Sequence, residues 1–318
     1  MSEGIEWQAR LAFTAQRLGF QLLDGCIKLN TKHCPRYYHA NVAEIRAPGH
    51  NWRLKVVNPA RQSEVGHCNR YNNSVHQRLA QTDAITRIAC VPKFFDVPKM
   101  FDEEASVSQL MANRPATVHD GETIVEYLVN AHVQRHSVKA ALRDPNGSRR
   151  QPVNVFNQSS YRERLEHSME GISGSIPIIK EEVISAFDAR WKQPLPDDAL
   201  TFAHGDFSIG NLQIGSDNRL GLLDFEHSHI GLGCIDLAHM YVNLAADGNK
   251  DAALAYRAAY RDRANRERVW FDLNVFEAVV LERAAGKMNA MDEKNGEHFE
   301  RLSDMLKEII GSKNCDKC

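Results

Sequence analysis

The sequence changes part-way along its 318 residues from short β-type segments to long helical ones. Near the N-terminus, turn-forming residues separate three short apolar segments, CIKLN, YYHANVAEI and WRLKVV. From about residue 158 onward, most segments carry apolar residues at three- and four-residue spacing, which is typical of amphipathic helices. A β-rich front followed by an α-rich back predicts an α+β protein with two lobes.

The first lobe is predicted to span residues 1–125 and the second residues 126–318. Three consecutive strands favour an antiparallel meander. A helix with Val65, Val75 and Leu79 buried is expected next, and further strands are expected over KFFDVPKM and ETIVEYLV. The stretch near 130–154 is basic and irregular, and we interpret it as a loop that connects the lobes.

Charge and hydropathy narrow the range of functions. A net charge of −2 provides no positive field to attract nucleic acid, so a nucleic-acid partner is not expected. No apolar run approaches the roughly 18 residues that a membrane-spanning helix needs. The seven cysteines are odd in number and scattered, which favours reduced thiols over a disulfide framework. With no basic-then-apolar leader at the N-terminus, these features predict a cytoplasmic protein.

The segment HGDFSIGNLQIGSDNRLGLLDFEHSH, residues 204–229, has the composition of a chemical site. Apolar residues lead up to Asp206 and again up to Asp224, so both acids are expected where strands end. If these strands end side by side, Asp206, Asn211 and Asp224 form one patch. Oxygen ligands of this kind suit Mg²⁺, and a neighbouring acid that does not bind metal can accept the proton of a hydroxyl group.

These motifs resemble those of a known group. HGDFSIGN matches the HxDxxxxN catalytic loop of the protein-kinase-like phosphotransferases, and DFE matches their metal-binding element. The HGD form and the later GLGCIDLAHM are similar to the aminoglycoside phosphotransferase and choline kinase branch. The resemblance implies a bilobal protein-kinase-like fold, in which a small antiparallel N-lobe sheet with one helix precedes a larger, mostly helical C-lobe. It also implies ATP and Mg²⁺ as cofactors.

The resemblance implies roles for the matching residues. Asp206 would position the acceptor hydroxyl, and Asn211 and Asp224 would hold Mg²⁺. Glu226 would help with metal or water contacts, although a solvated carboxylate is almost as good an interpretation.

Three further polar residues around these motifs are given structural roles. His204 would brace the catalytic loop, and Asp236 would bond backbone groups of that loop or cap the following helix. His227 is interpreted as a solvent-facing or packing residue, because no third ligand accompanies it and His229.

The front half is expected to supply the nucleotide site. Lys55, on a strand, would contact the nucleotide phosphates, and Glu64 would be its partner because it is the only glutamate between Val56 and Met100. The segment IVEYLV resembles a hinge strand, in which backbone groups of Glu126, Tyr127 and Leu128 would bond the adenine edge. The turn NTKHCPR departs from the family pattern because it contains no glycine to cover the phosphates.

The acceptor is predicted to be a small molecule or a saccharide, without further definition, and the oligomeric state is left open. From Gly233 onward there are 15 acidic and 13 basic residues, which gives little support to a polycationic antibiotic. Alternatives are a catalytically silent pseudokinase, a protein kinase without an Ala-Pro-Glu element, and a metallohydrolase. The last would use His204, Asp206, Asp224 and His227.

Overall fold

A computed structural model describes most of the chain. The described residues are 2–28, 40–47, 50–57, 74–75, 77–92, 105–109, 114–142, 155–172, 174–175, 178, 180–192, 194–291 and 296–312. They form two compact units. The first unit contains the described residues of Met1–Arg114 and Ile214–His227, and the second those of Pro115–Arg143, Val153–Gln213 and Ser228–Cys318. The predicted lobes 1–125 and 126–318 stay a prediction.

The helices and strands are named here in chain order. The helices are α1 (Ser2–Arg17), α2 (Asp83–Thr86), α3 (Gly121–Val133), α4 (Arg135–Leu142), α5 (Gln158–Ile172), α6 (Lys180–Arg190), α7 (Ile235–Ala246), α8 (Lys250–Glu267), α9 (Leu273–Ala290) and α10 (Glu297–Gly311). The strands are β1 (Gln21–Lys28), β2 (Ala40–Ala47), β3 (His50–Val57), β4 (Ala89–Cys90), β5 (Ala105–Gln109), β6 (Arg114–Pro115), β7 (Leu200–Ala203), β8 (Leu212–Ile214), β9 (Leu220–Leu222) and β10 (His229–Leu232). Among the residues described, no helix is both long enough and apolar enough to cross a membrane.

The first unit is built on an antiparallel sheet in the order β1-β2-β3-β5. The predicted meander of three strands is therefore confirmed. In β3, Leu54 and Val56 are fully buried. Because successive residues of a strand point to opposite faces, Lys55 between them lies on the other face of the sheet. This alternation places one lysine on the face that does not pack against the core.

The sequence predicts the helical segment around Leu79 but not the strand β5. Val75 and Leu79 are buried, as expected, and residues 77–80 are helical. Val65 and the segment KFFDVPKM lie outside the described residues. β5 was not predicted, because its sequence ASVSQ has little apolar character. It lies at the edge of the sheet, where a strand needs less apolar surface.

The second unit is mostly helical. α9 is buried along most of its length and packs against α5, α7 and α6. β7 pairs antiparallel with β10 in a two-stranded sheet, and β7 packs against α3 and α4. β9, in contrast, pairs in parallel with β4 in the first unit. The strands that precede the two acidic motifs therefore belong to different sheets.

The hinge strand predicted over residues 124–129 is also wrong. This segment lies within α3, where Ile124 and Leu128 are buried and the helix packs against α8 and β7. A helical backbone uses its N–H and C=O groups in internal hydrogen bonds. Glu126, Tyr127 and Leu128 therefore cannot present a strand edge to an adenine. Instead, the Glu126 side chain pairs with Arg263 at 2.9 Å.

Part of the predicted connecting loop is helical as well. α4 occupies the middle of the stretch that was interpreted as irregular. Its Val138 is fully buried and the helix packs against β7. Among the residues of α4 whose burial is described, 135–140, Val138 is the buried one. A single buried apolar position is too weak a signal to predict a helix.

Candidate active site

Lys55 forms ion pairs with two carboxylates of the first unit. Its Nζ lies 3.0 Å from Oδ1 of Asp224 and 3.5 Å from Oε2 of Glu226. The Lys55 and Glu226 side chains are less than one-fifth exposed, so solvent screens this interaction less than it would at an open surface. The structure thus brings together three of the residues predicted from the sequence, Lys55, Asp224 and Glu226.

Asp224 has an unusual backbone conformation. Its φ angle is +64°, in the left-handed region. This conformation costs a non-glycine residue roughly 1–2 kcal/mol, although aspartate visits it more readily than most residues. Leu222 before it and Phe225 after it are fully buried, which holds the chain on both sides. The packing therefore maintains a conformation that points the carboxylate towards Lys55.

The second unit holds residues 204–206 in place through Asp236. The backbone N–H of His204 donates to Oδ2 of Asp236 at 2.7 Å, and that of Gly205 donates to Oδ1 at 2.9 Å. Gly205 has a φ angle of +80°, which explains a glycine between His204 and Asp206. Burial raises the pKa of Asp236, against the effect of His204 and the two N–H groups. The expected structural role of Asp236 is confirmed.

Each oxygen of the Asp206 carboxylate has a donor within the second unit. Nδ2 of Asn211 donates to Oδ2 at 2.8 Å and to the Asp206 carbonyl at 3.0 Å. Nε2 of His239 lies 3.2 Å from Oδ1. Burial lowers the pKa of His239, in opposition to the Asp206 carboxylate, so the ring is neutral at pH 7 and donates through Nε2. The Asp206 side chain is still 39% exposed, so the oriented carboxylate remains accessible.

Asn211 has one polar atom left for another ligand. Its Nδ2 is committed to Asp206, which leaves the amide oxygen Oδ1 available. The oxygen atoms of Asn211 and Asp224 are hard donors of the type that Mg²⁺ prefers. Each residue therefore offers an oxygen that suits Mg²⁺, an ion that takes few protein ligands and completes its shell with water and phosphate.

His204 lies beneath the loop. Its side chain is fully buried, and its Nδ1 accepts a 3.4 Å hydrogen bond from the backbone N–H of Asp206. The ring packs edge-on against Phe207 at 6.0 Å, and Phe207 stacks on Tyr127 at 5.8 Å. These contacts support the interpretation of His204 as a bracing residue. They also give Tyr127, predicted at the nucleotide, a packing role under the same loop.

A cavity of about 960 Å³ opens beside Asp206 within the second unit. Its size is at the upper end of the range for small-molecule sites, roughly 300–1,000 Å³. The loop contributes Asp206 and Ser208, and three helices, α5, α7 and α9, supply most of the other walls. Those walls are lined by Phe156, Ser160, Glu163, Arg164, His167, Ser168, His239, Val242, Asn243, Glu282, Arg283, Gly286 and Lys287.

Two histidines after the DFE motif have no shared site. His227 is 61% exposed and lies 3.6 Å from Oε1 of Glu226. His229 is buried and stacks on Phe156 at 4.3 Å, with Tyr161 at 3.3 Å from its Nε2. The interpretation of these residues as solvent-facing and packing is confirmed. In the part of the chain that the structure describes, no three His, Cys, Asp or Glu side chains cluster as metal ligands.

The structure adds residues that the sequence did not single out. His239 is one, although its spacing from Asp236 would have placed both on one face of α7. Arg283 and Lys287 on α9 are others, and nothing in the sequence links them to a loop about 80 residues earlier. Glu64, the expected partner of Lys55, lies outside the described residues.

Several solved structures share the fold of this chain. A macrolide 2'-phosphotransferase type I aligns with 96% of this chain and 97% of its own, with 14% identity and a TM-score of 0.61. The choline kinase LicA from Streptococcus pneumoniae aligns over 97% and 100%, with 13% identity and a TM-score of 0.61. The fold is that of the kinase-like small-molecule phosphotransferases, and the predicted α+β fold class is confirmed.

The sequence itself identifies the family. Residues 53–270 match the phosphotransferase enzyme family known as APH. The chain belongs to this family. A thermostable mutant of the aminoglycoside phosphotransferase APH(4)-Ia, in a ternary complex with ADP and hygromycin B, aligns over 95% of this chain and 98% of its own, with 9% identity and a TM-score of 0.61. No curated protein sequence matches this chain significantly.

Proposed function

We propose that the protein is an ATP- and Mg²⁺-dependent phosphotransferase that moves the γ-phosphate to a hydroxyl group of a small molecule or sugar. One observation carries the proposal. Asp206 lies at the wall of a cavity that can hold a small molecule, and both of its carboxylate oxygens are oriented by neutral donors, Asn211 and His239. This is the arrangement that an acid needs to orient a hydroxyl group and accept its proton.

In the proposed reaction, Asp206 accepts a hydrogen bond from the acceptor hydroxyl. As the hydroxyl oxygen bonds to the γ-phosphorus and the bond from that phosphorus to the β–γ bridging oxygen breaks, the hydroxyl proton passes to the Asp206 carboxylate. The products are the phosphorylated acceptor and ADP, and the proton then leaves to solvent. Positioning of the nucleophile and stabilisation of charge account for most of the catalysis in phosphoryl transfer.

The remaining site residues serve the nucleotide. We assign Asn211 and Asp224 to Mg²⁺, with Glu226 in contact with the metal or its water. When bound, Mg²⁺ neutralises part of the phosphate charge. Lys55 contacts the phosphates, with Glu64 as its partner. The existing pairs of Lys55 with Asp224 and Glu226 support this assignment, because they hold the lysine among the acidic residues that the metal requires.

The acceptor is a hydroxylated compound that fits the cavity beside Asp206. Structural neighbours are named for macrolides, choline and an aminoglycoside, which shows that this fold accepts varied alcohols. We place the reaction in the cytoplasm, where ATP is available.

The test is ADP release from Mg·ATP with a panel of aminoglycosides, choline-type alcohols, amino acids and sugars. We expect at least one acceptor to stimulate release. Asp206→Asn keeps the shape of the side chain but removes the base, and should lower turnover by about 100- to 10,000-fold. ATP binding should change little. Asp304→Asn, an exposed residue on α10 paired with Lys307, is the control and should keep full turnover.

Three results would contradict the proposal. Full turnover in Asp206→Asn would refute the central assignment. Nucleotide binding with no product from any acceptor would favour the catalytically silent alternative. A protein that does not bind ATP in the presence of Mg²⁺ would refute the nucleotide site.

A further inference from the structure

The wall of the cavity formed by α9 carries more positive than negative charge. Glu282 is almost fully buried, and two arginines share its carboxylate. Nε of Arg164 lies 3.1 Å from Oε1 of Glu282, and the Arg283 guanidinium bonds both carboxylate oxygens. Burial opposes ionisation, but Arg283 and Arg164 hold the pKa of Glu282 below its ordinary value. One carboxylate thus balances two guanidinium groups, and one positive charge remains.

Lys287 adds a second positive charge. Its Nζ donates to Oδ1 of Asn243, which is a neutral group. Within the described ranges, no carboxylate lies within ion-pair distance of this nitrogen. Burial lowers the pKa of Lys287, and the charges of Asp247 and Asp206 partly offset this effect. Lys287 therefore lines the cavity and donates to a neutral amide. Its ammonium group has further N–H donors that a ligand can use.

An unpaired donor lies next to this lysine. Nδ2 of Asn243 is buried and has no hydrogen-bond partner among the residues that the structure describes. The side-chain oxygen of the same residue is occupied by Lys287, so the orientation of the amide is fixed. A buried donor without an acceptor costs free energy unless a ligand satisfies it. Lys287 and Asn243 together therefore offer donors that an oxygen acceptor of a ligand can satisfy.

The lining contains two further carboxylates, Asp206 on the loop and the exposed Glu163 on α5. Asp206 keeps its charge, because Asn211 and His239 are neutral donors, and it faces the acceptor hydroxyl in the proposed reaction. Acids and bases are equal in number over the whole lining, so the positive excess is local to the α9 wall. A cationic acceptor would face Arg164, Arg283 and Lys287 in the cavity, and desolvated like charges are strongly unfavourable. The wall suits an anion.

We propose that the acceptor carries a carboxylate or phosphate group, which binds to Lys287 and Asn243 with support from Arg283, while a hydroxyl group of the same molecule meets Asp206. The hydroxyl part rests on the proposed function, whereas the anion site follows from the cavity alone. Charge-assisted hydrogen bonds to carboxylate or phosphate are about twice as strong as neutral ones. The charge on the acceptor would thus select it from neutral and cationic alcohols of the same size.

The test measures binding of four sugars of similar size to the full chain by calorimetry, apart from any turnover. The sugars are glucose, glucosamine, glucuronate and glucose 6-phosphate. We expect at least one anionic sugar to bind tenfold or more tightly than glucose, and glucosamine to bind no better than glucose. Preference for glucuronate identifies a carboxylate, and preference for glucose 6-phosphate identifies a phosphate.

Variants test whether Lys287 causes the preference for anionic sugars. Lys287→Gln should reduce anion binding at least tenfold and leave glucose binding unchanged, and Lys287→Arg should retain most of it. Lys307→Gln, on exposed α10, is the matched control and should change nothing. The inference is overturned if the anionic sugars bind no better than glucose, if glucosamine binds best, or if Lys287→Gln keeps the preference.

ADP release separates this inference from the proposed function. Anion-selective binding that Lys287→Gln abolishes supports the inference even if no acceptor releases ADP. That absence of release would count against the proposed transfer instead. Release of ADP with neutral or cationic acceptors alone would support the transfer and overturn the anion site.

Discussion

The two aspartates of the catalytic motifs have different partners at the residue scale. Asp206 is oriented by Asn211 and His239, and burial keeps the histidine neutral by lowering its pKa. Asp224 instead pairs with the cationic Lys55. Neutral donors orient a carboxylate without cancelling its charge, so the carboxylate can still accept a proton. A carboxylate that already pairs with a cation is in an environment where it can pair with a metal cation instead. The difference agrees with the roles proposed for the two acids.

The left-handed conformation of Asp224 leads to a first prediction. Asp224→Ala and Asp224→Gly both remove the carboxylate, so both should abolish transfer. Glycine adopts a φ of +64° without the clash that a Cβ causes, so Asp224→Gly should be more stable than Asp224→Ala by about 1 kcal/mol. Denaturant unfolding of the two variants measures the difference. Equal stability would show that the alanine backbone relaxes out of this region.

At the scale of elements, the first turns of α7 support the catalytic loop. Asp236 and His239 lie three residues apart and so share one face of the helix. Asp236 bonds the backbone N–H groups of His204 and Gly205, and His239 contacts the Asp206 carboxylate. One helix therefore fixes both the backbone of the loop and the orientation of its acid.

A second prediction concerns this helix. Asp236→Asn keeps one acceptor oxygen but turns an amino group towards the other backbone N–H. We expect a loss of about 1–3 kcal/mol in the free energy of unfolding, because a buried donor loses its partner. Turnover should fall more than ATP affinity does, since the loop carries Asp206. Asp251→Asn, in the exposed first turn of α8, should change neither quantity. Unchanged stability in Asp236→Asn would contradict the supporting role.

The end of α3 provides a prediction about pH. His132 is fully buried, and its Nε2 donates to the Asp198 carbonyl at 2.8 Å. Burial lowers its pKa to about 4, against the effect of this hydrogen bond. The unfolded state binds a proton near pH 6.5 and the folded state does not, so the free energy of unfolding should fall as the pH decreases from about 6.5 to 4, by about 3 kcal/mol in total.

The measurement for His132 is the free energy of unfolding at several pH values in the parent and in His132→Gln. Glutamine cannot titrate, so the variant should lose the part of the pH dependence that the histidine causes. If both proteins show the same slope between pH 6.5 and 4, His132 is not the source.

At the scale of the whole molecule, the residues assigned to the proposed reaction belong to both units. The first unit contains Lys55, Asp224 and Glu226, and the second contains Asp206, Asn211 and the cavity. The groups assigned to the nucleotide phosphates and those assigned to the acceptor hydroxyl therefore come largely from different parts of the fold. Ligands that bind the folded protein alone stabilise it by mass action.

Nucleotide binding should accordingly raise the melting temperature. At 100 times its dissociation constant, Mg·ATP should contribute about 2.7 kcal/mol, which corresponds to a rise of roughly 4 °C for a chain of this size. Lys55→Met should lose most of the rise. The matched variant Lys307→Met, on α10, should keep it. If Lys55→Met kept the full rise in melting temperature, Lys55 would not be part of the nucleotide site.

Many residues of the candidate site could be selected from the sequence because they lie close together along the chain. Motif spacing was sufficient to select His204, Asp206, Asn211 and Asp224, and alternation within β3 selected Lys55. Segment 124–129 was assigned incorrectly because a short apolar run suits a strand as well as a buried helix. Its packing against α8 decided between the two.

The sequence alone determined the fold class, the family and the acids of the two motifs, because local apolar patterns and short motifs depend on neighbouring residues. The tertiary structure alone decided the partners of those acids and the lining of the cavity. Lys55 and Asp224 are 169 residues apart, and α9 meets the loop near Asp206 from about 80 residues away. Such contacts depend on how helices and strands pack, and they cannot be predicted from the spacing of residues along the chain.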